Sequence, residues 1–374
     1  LKITIVQGAF LPVPAIMGGA VEKVWFALGR EFAQRGHEVT HISRQHRDLP
    51  ASETIDGVHC LRVAGFDAPR SLILLKALDF VYSFRVLRHL PPGDILVTNT
   101  FFLPILARDA TRGKIYVHVA RYPKGQMRLY GRAARLQTVS RTVADAIERE
   151  APALAERVRV IPYPSIEDGE GSAPPTSNGL RGKELLFVGR VHPEKGLDLL
   201  IRAVSSLSRE QLKGWRLVIV GPSEVRLGGG GEDYRKHLQA LAAPVADLID
   251  WIGPVFDSAE LAGYYRRAAV FVYPSLANRG ETFGLAPLEA MAHGCVPVVS
   301  ALGCFQDYIE DRVNGAIFDH EGRQPEQYLA RELAALVGDP ARVATLSAAA
   351  ELKSREYELG RVAELYLADF ASLA

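Results

Sequence analysis

The chain has 374 residues, of which 48% are hydrophobic and 23% charged, with a net charge of +1 at pH 7. This composition excludes a disordered polypeptide, and the length points to two hydrophobic cores rather than one. No apolar run is long enough to span a membrane, and Leu1–Val6 leads into a strand pattern rather than a signal peptide.

Lys2–Val6 is a short β-rich run, followed by a loop over Gln7–Met17 and the pair Gly18-Gly19. Ala20–Arg35 has helical periodicity through Val21, Val24, Trp25, Leu28 and Phe32, and Gly36 ends it. His37–Ser43 and Val58–Val63 read as strands, Ser71–Leu90 as a helix, and Ile95–Thr98 and Lys114–His118 as strands. Ser71–Leu90 mixes Leu72, Leu75, Leu78, Phe80, Val81, Phe84 and Leu87 with Lys76, Arg85, Arg88 and His89. It reads first as an ordinary packed helix and second as an amphipathic surface for a membrane or an acceptor. Leu136–Val139 and Val158–Ile161 are further strands, with a helix at Thr142–Arg149 between them.

A stretch over 163–183, rich in Pro, Gly and Ser, breaks the pattern and is the linker candidate. Strands at Glu184–Val188, Trp215–Val220, Leu248–Ile252, Val270–Tyr273 and Val296–Ser300 then alternate with helices at Leu197–Leu207, Tyr234–Leu241, Ser258–Ala268 and Leu285–His293. Beyond residue 320 the pattern is helical. Such alternation predicts two doubly wound α/β domains, with ligands at the carboxyl ends of parallel strands.

Charge is unevenly placed. Residues 1–160 hold 23 Lys and Arg against 14 Asp and Glu, a net of +9, whereas 161–374 carry a net of −8. The basic half should attract a lipid surface, a phosphorylated acceptor or the acidic half of its own chain. The three cysteines, Cys60, Cys295 and Cys304, form no CxxC pair and no metal-ligand pattern, and read as buried thiols in a reducing compartment.

The most informative segment is Gly280–Gly294, where Glu281 and Glu289 bracket a glycine turn and the expected first turn of a helix. Phe283 and Gly284 would present free backbone N–H groups there, and Pro287 and Gly294 suit the start and the end of that helix. Helix N-termini attract phosphate, so a phosphate turn flanked by carboxylates suits a ligand that is part phosphate and part polyhydroxyl, such as a nucleotide sugar. Val188–Gly196 also lies between a strand and a helix; Gly189 allows close approach, and Arg190 and Lys195 can hold phosphate oxygens. Two solvated surface charges would be the plainer reading of that loop.

Gly18-Gly19-Ala20 is not GxGxxG, which argues against a dinucleotide dehydrogenase; it is either a ligand approach or a tight turn. His118 ends its strand, in a catalytic or a structural role. Gly228–Gly231 reads as a flexible loop, with a lid as the second reading. No Ser-His-Asp order, HExxH or Walker sequence is present, and no metal site is suggested. Arg190, Lys195 and helix N-termini would neutralise two phosphates instead.

Taken together and in this order, these pieces resemble the retaining glycosyltransferases of family 4, which have the GT-B fold, over essentially the whole chain. Val188–Gly196, Glu281 with Glu289, and Ala290–Val299 carry most of the likeness. Gly18–Ala20, Arg35–Val39, Val139-Ser140, Val220-Gly221 and Tyr273–Ser275 support it. The resemblance implies two Rossmann-like, doubly wound parallel-sheet domains facing a central cleft. An acceptor-binding domain would occupy 1–163, with a last helix over 355–374 crossing back to it, and a donor-binding domain would occupy 164–354.

It also implies that Arg190 and Lys195 hold the donor diphosphate, Glu289 the ribose hydroxyls, and Glu281 the donor sugar and the charge at its anomeric carbon. Phe283, Gly284 and Leu285 would offer N–H groups, and Gly19 and Gly189 would allow close approach. His118 would close over the sugar, and the base would lie near Ile252–Val255. Catalytic roles would fall to His118, Arg190, Lys195 and Glu281. Retention is expected by front-face attack without a cofactor or metal, so the two glutamates are not an acid/base pair.

Two departures stand out. Gly303–Asp307 replaces the usual Gly-Gly-x-x-Glu, and Pro162-Tyr163-Pro164 replaces Pro-Asn-Gly at the junction. The expected donor is a UDP- or GDP-sugar and the acceptor a hydroxyl of a glycan, a glycolipid or a small molecule. The expected location is the cytoplasm, with possible peripheral contact at the inner membrane face through the basic half and no nucleic-acid partner. An epimerase or phosphorylase of the same fold and a non-catalytic sugar-nucleotide sensor are the alternatives.

Overall fold

The structure, a computed structural model, describes residues 1–69, 71–166 and 181–374. Most of the linker candidate, including Pro174–Gly179, lies outside the described residues. Two compact units form, one from Leu1–Ile166 with Tyr357–Ala374 and the other from Glu167–Glu356.

The first unit runs β1 (Lys2–Val6), α1 (Ala20–Gln34), β2 (Glu38–Arg44), β3 (Ser52–Ile55), β4 (Val58–Val63), α2 (Leu72–Leu87), β5 (Ile95–Thr98), α3 (Leu103–Leu106), β6 (Lys114–Val119), β7 (Arg135–Thr138), α4 (Arg141–Glu150) and β8 (Val158–Val160). Its eight-stranded sheet has the order β3-β4-β2-β1-β5-β6-β7-β8 and is parallel except for β3. All four residues of β5 are buried, as expected for a central strand covered on both faces.

The second unit contains β9 (Gly182–Val188), α5 (Leu197–Ser206), β10 (Arg216–Val220), α6 (Glu232–Leu241), β11 (Ile249–Gly253), α7 (Ser258–Arg267), β12 (Ala268–Tyr273), α8 (Leu285–Ala292), β13 (Val296–Ser300), β14 (Ala316–Phe318), α9 (Pro325–Val337) and α10 (Pro340–Ser354). Its six-stranded sheet, β11-β10-β9-β12-β13-β14, is wholly parallel. Parallel βαβ crossovers place every strand's carboxyl end on one edge, which is where its loops gather.

The last helix, α11 (Leu359–Ala371), packs within the first unit. Phe370 meets Phe32 and Tyr366 meets Trp25 at ring-centroid distances of 5.8 and 5.0 Å. Asp369 accepts from Arg135 Nε at 2.8 Å and from the Tyr116 hydroxyl at 3.0 Å.

Three elements differ from the sequence pattern. The pattern gives no strand at β3, yet Asp56-Gly57, with φ of 48° and 83°, makes the two-residue turn that pairs it antiparallel to β4. Nor does it give the short edge strand β14. The third difference is α2, which is not an ordinary packed helix. It buries Asp79, Tyr82, Ser83 and Val86 but leaves Leu72, Ile73, Leu74, Phe80, Val81 and Phe84 exposed. Even so, no helix among the described residues is long and apolar enough to cross a membrane. Cys60, Cys295 and Cys304 are free and buried.

Candidate functional site

The candidate residues of the second unit collect at the carboxyl edge of its sheet. β9 ends in Val188-Gly189, and Gly189 N donates to Val220 O at 2.9 Å, while Gly221 N donates to Gly253 O at 2.8 Å. These bonds tie the loop starts after β9, β10 and β11 together. At Gly221, with φ 145°, an added Cβ would lie 1.9 Å from Gly189 O, so glycine is required.

The loop after β9 is fastened to the end of β12. Gly196 adopts a left-handed φ of 68°, and an added Cβ there would lie 2.1 Å from Pro274 O. Leu276 N donates to Glu194 O at 2.8 Å. This clasp brings Lys195 to the loop that carries Glu281.

Lys195 is 7% exposed and donates from Nζ to Glu281 Oε2 at 2.7 Å. The same oxygen accepts from Ser275 Oγ at 3.0 Å and from the Tyr273 hydroxyl at 3.4 Å. Burial, with the Glu281 charge beside it, pushes the Tyr273 hydroxyl well above its usual pKa, so it stays a donor. Lys195 also lies over the Tyr273 ring, 5.2 Å from its centroid. A carboxylate held by an ammonium and two hydroxyls is fixed in place and keeps its other oxygen for a ligand.

Beyond Glu281 the chain turns into α8 through Phe283 and Gly284. Phe283 is buried against the ring of Tyr308, whose hydroxyl donates to Gly284 O at 2.8 Å. Gly284, with φ 85°, is the N-cap of α8, and an added Cβ would lie 2.4 Å from Phe305 Cε1. Leu285 is the first helical residue, so its N–H and those next to it stand at the positive end of the helix.

One helical turn on, Glu289 accepts from the Tyr265 hydroxyl at 3.2 Å, and Tyr265 stacks on His293 with centroids 5.5 Å apart. Arg190 is half-exposed and is held by Glu194 and by Gly228 O, the latter at 2.8 Å. The Gly228–Gly231 loop is also bonded to the loop after β9, since Gly230 N donates to Val191 O at 2.8 Å. Ile252 is an exposed residue of β11, and Val255 follows it in the next loop, partly buried.

In the first unit, Gly19 is the N-cap of α1 with φ 111°. The Glu22 carboxylate fills the space beside it, 2.3 Å from where a Gly19 Cβ would lie. Burial raises the pKa of Glu22, opposed by its own backbone N–H and by Arg121. His118 is 3% exposed, with Nδ1 2.6 Å from Gln137 Oε1 and Nε2 2.9 Å from the Tyr163 hydroxyl. Burial lowers its pKa to about 4, so it is neutral at pH 7. With both ring nitrogens engaged, it presents no free one in this conformation.

Tyr273 and Ser275 figure in the sequence only as part of the family likeness and Tyr163 only as part of the junction, without these contacts; Tyr265, Tyr308 and Gln137 are missed altogether. Of the two departures, Cys304 is buried, with Glu281 among the charges acting on it, and the following Phe305 packs edge-on to Tyr273 with centroids 5.9 Å apart. Among the described residues, no cluster of three His, Cys, Asp or Glu side chains could hold a metal ion.

Comparisons with known proteins bear on the family and the fold. The family model described as glycosyl transferases group 1 matches residues 175–353, and that described as Glycosyltransferase Family 4 matches residues 17–164. The D-inositol 3-phosphate glycosyltransferase of Kineococcus radiotolerans is 29% identical over 91% of this chain and 87% of its own length. One from Catenulispora acidiphila is 37% identical, but over 44% of this chain and 38% of its own. Among solved structures, sucrose-phosphate synthase from Thermosynechococcus elongatus aligns over 100% of both chains with a TM-score of 0.78 at 19% identity. Anabaena Alr3699/HepE in complex with UDP aligns over 100% of both chains with a TM-score of 0.72 at 16% identity.

Proposed function

The chain belongs to glycosyltransferase family 4 and has the GT-B fold, and from that premise we propose that it moves a hexosyl group from a nucleotide-sugar donor to an acceptor hydroxyl with retention of configuration. The observation that carries this reading is the convergence of Lys195, Ser275 and Tyr273 on Glu281 at the entry to α8. The donor is a UDP- or GDP-sugar; Anabaena Alr3699/HepE is solved with UDP and with UDP-glucose, and starch synthase IV from Arabidopsis thaliana with ADP, so the base is left to the nucleotide panel below.

Arg190, Lys195 and the N–H groups of Phe283, Gly284 and Leu285 take the diphosphate, with Gly189 allowing its approach. Together they offer cationic and dipolar neutralisation, so the reaction proceeds without a metal or cofactor. Glu289 accepts from the ribose hydroxyls. The base lies against Ile252 and Val255. Glu281 accepts from sugar hydroxyls and offsets the positive charge that grows at the anomeric carbon. The bond between that carbon and the phosphate oxygen breaks as the acceptor oxygen bonds to the same face, and the acceptor's proton passes to the leaving phosphate. Gly19 and His118, both in the first unit, are assigned only the roles that the family resemblance implies.

The acceptor is a hydroxyl of a glycan, a glycolipid or a small molecule. An inositol phosphate is the first to test, because the curated relatives carry that substrate in their names. Nucleotide sugars are made in the cytoplasm, which supports a site of action there.

A thermal-shift panel of UDP, GDP, ADP and dTDP tests the donor site. A ligand at about a hundred times its Kd stabilises by roughly 2.7 kcal/mol, a shift of a few degrees. UDP or GDP alone should raise the Tm, Lys195→Ala should abolish the shift, and EDTA should leave it intact. No shift with any nucleotide, or a shift that persists in Lys195→Ala, overturns this assignment.

A further inference from the structure

We propose that the outward face of α2 docks on an anionic phospholipid bilayer. This surface belongs to the first unit and the donor-site residues to the second, and the proposal does not depend on the transferase reading. Ile73, Phe80 and Phe84 follow one another at spacings of seven and four along the helix, with Leu72, Leu74 and Val81 beside them, and all six are exposed. Ile73 keeps 84% of its surface in water and Phe84 keeps 49%. Singly exposed apolar residues are ordinary; six large ones on one 16-residue helix form a patch that marks an interaction surface. The helix is not loosely held, because Asp79, Tyr82, Ser83 and Val86 are buried beneath it.

Length and charge select the occupant. At 1.5 Å per residue α2 is about 24 Å long, too short to span a bilayer but suited to lying in its interface. The charged side chains of α2 with access to solvent are all cations. Lys76 lies over the Phe101 ring at 4.7 Å, and Arg88, just past the helix end, lies over the Phe84 ring at 4.9 Å. Arg85 lies over the Phe66 ring at 4.8 Å. The sole acid of the helix, Asp79, is turned inward and accepts from Phe101 N at 3.1 Å and Phe102 N at 3.0 Å. An apolar strip bordered by cations with aliphatic stems, and with no outward carboxylate, fits acyl chains below and lipid phosphates alongside. The wider charge has the same sign, since residues 1–160 carry a net of +9.

Co-sedimentation with sucrose-loaded vesicles tests this. The wild-type chain should pellet with phosphatidylcholine vesicles containing phosphatidylglycerol, much less with phosphatidylcholine alone, and less as salt rises. Ile73→Glu with Phe84→Glu should weaken the binding at least about tenfold, given the apolar area withdrawn from the lipid. Lys76→Gln and Arg88→Gln should each weaken it about fivefold, the worth of one cation near an anionic surface. All these side chains are exposed, so the variants should melt with the wild type and keep its nucleotide-induced shift. Wild-type protein that stays in the supernatant with phosphatidylglycerol vesicles overturns the proposal. So does undiminished binding by Ile73→Glu with Phe84→Glu. A wild-type dimer that this variant makes monomeric, with no uptake by vesicles, would assign the face to a second copy of the chain and equally overturn it.

Discussion

Lys195 holds its ammonium 2.7 Å from the Glu281 carboxylate, with only 9% and 11% of the two side chains exposed. Each group sits in a place that would be costly for it alone, so the pair keeps both charges at the entrance to α8. Removing one partner of a buried ion pair costs about 3–5 kcal/mol, because the other charge is left uncompensated. Ser275 and Tyr273 also donate to Glu281 and soften the loss. Lys195→Met should therefore cost about 3 kcal/mol, and Lys195→Met with Glu281→Gln should regain part of it. Urea unfolding of the three proteins measures both, and equal stability of the single and double variants would show that Glu281 is not strained by losing its partner.

Glu281→Gln keeps the size of the side chain and removes its charge. If that charge acts on the anomeric carbon in the transition state, kcat should fall by about a hundredfold to a thousandfold, the scale of losing one preorganised electrostatic contact. Nucleotide affinity should change only a few fold, because the diphosphate contacts remain. Steady-state rates with a UDP-sugar and calorimetric binding of UDP separate the two effects, and wild-type turnover in the variant would remove Glu281 from the mechanism.

The parallel sheets are legible in the sequence because apolar runs alternate with helical periodicity, and the site's two glutamates because glycine turns punctuate them. α2 departs from its sequence pattern for a physical reason: its buried positions are Asp79, Tyr82, Ser83 and Val86 while most of its large apolar side chains face outward, and a run rich in apolar residues does not say which face is covered. The supporting hydroxyls are hidden for another. Tyr273 and Ser275 reach Glu281 from the end of β12, and Gln137 reaches His118 because β7 pairs with β6 in that register. Such neighbours follow from strand order, which spacing along one chain does not reveal.

His118 makes stability depend on pH. Burial lowers its pKa from the ordinary 6.5 to about 4 in the folded chain. Between those values the unfolded chain binds the proton and the folded chain does not, so stability falls as pH drops from about 6.5 to about 4. One such group is worth about 3 kcal/mol over that window. Asp79, raised to about 6 by burial, acts with the opposite sign: below that pH the folded chain holds the proton that the unfolded chain releases until about 4. That contribution is common to wild type and to His118→Gln, so it cancels in their difference. Urea unfolding of both proteins from pH 7 to pH 4 should show the wild type losing about 3 kcal/mol more than the variant; parallel pH profiles would mean that His118 does not stay neutral.

Tyr265 acts at one remove from the ligand. Its hydroxyl donates to Glu289 Oε2 at 3.2 Å, and its ring is pinned between Phe271 and His293, at centroid distances of 5.8 and 5.5 Å. Burial beside the Glu289 charge keeps that hydroxyl protonated. Tyr265→Phe preserves the packing and removes one donor from a carboxylate assigned to the ribose. A hydrogen bond of this kind is worth about 1 kcal/mol, so KM for the donor and Kd for the free nucleotide should both rise about fivefold. Because the ribose contact is the same in the ground state and the transition state, kcat should stay within about twofold. A fall in kcat with unchanged KM would move Glu289 from ribose recognition to the reacting centre, and no change in either would leave Tyr265 a packing residue alone.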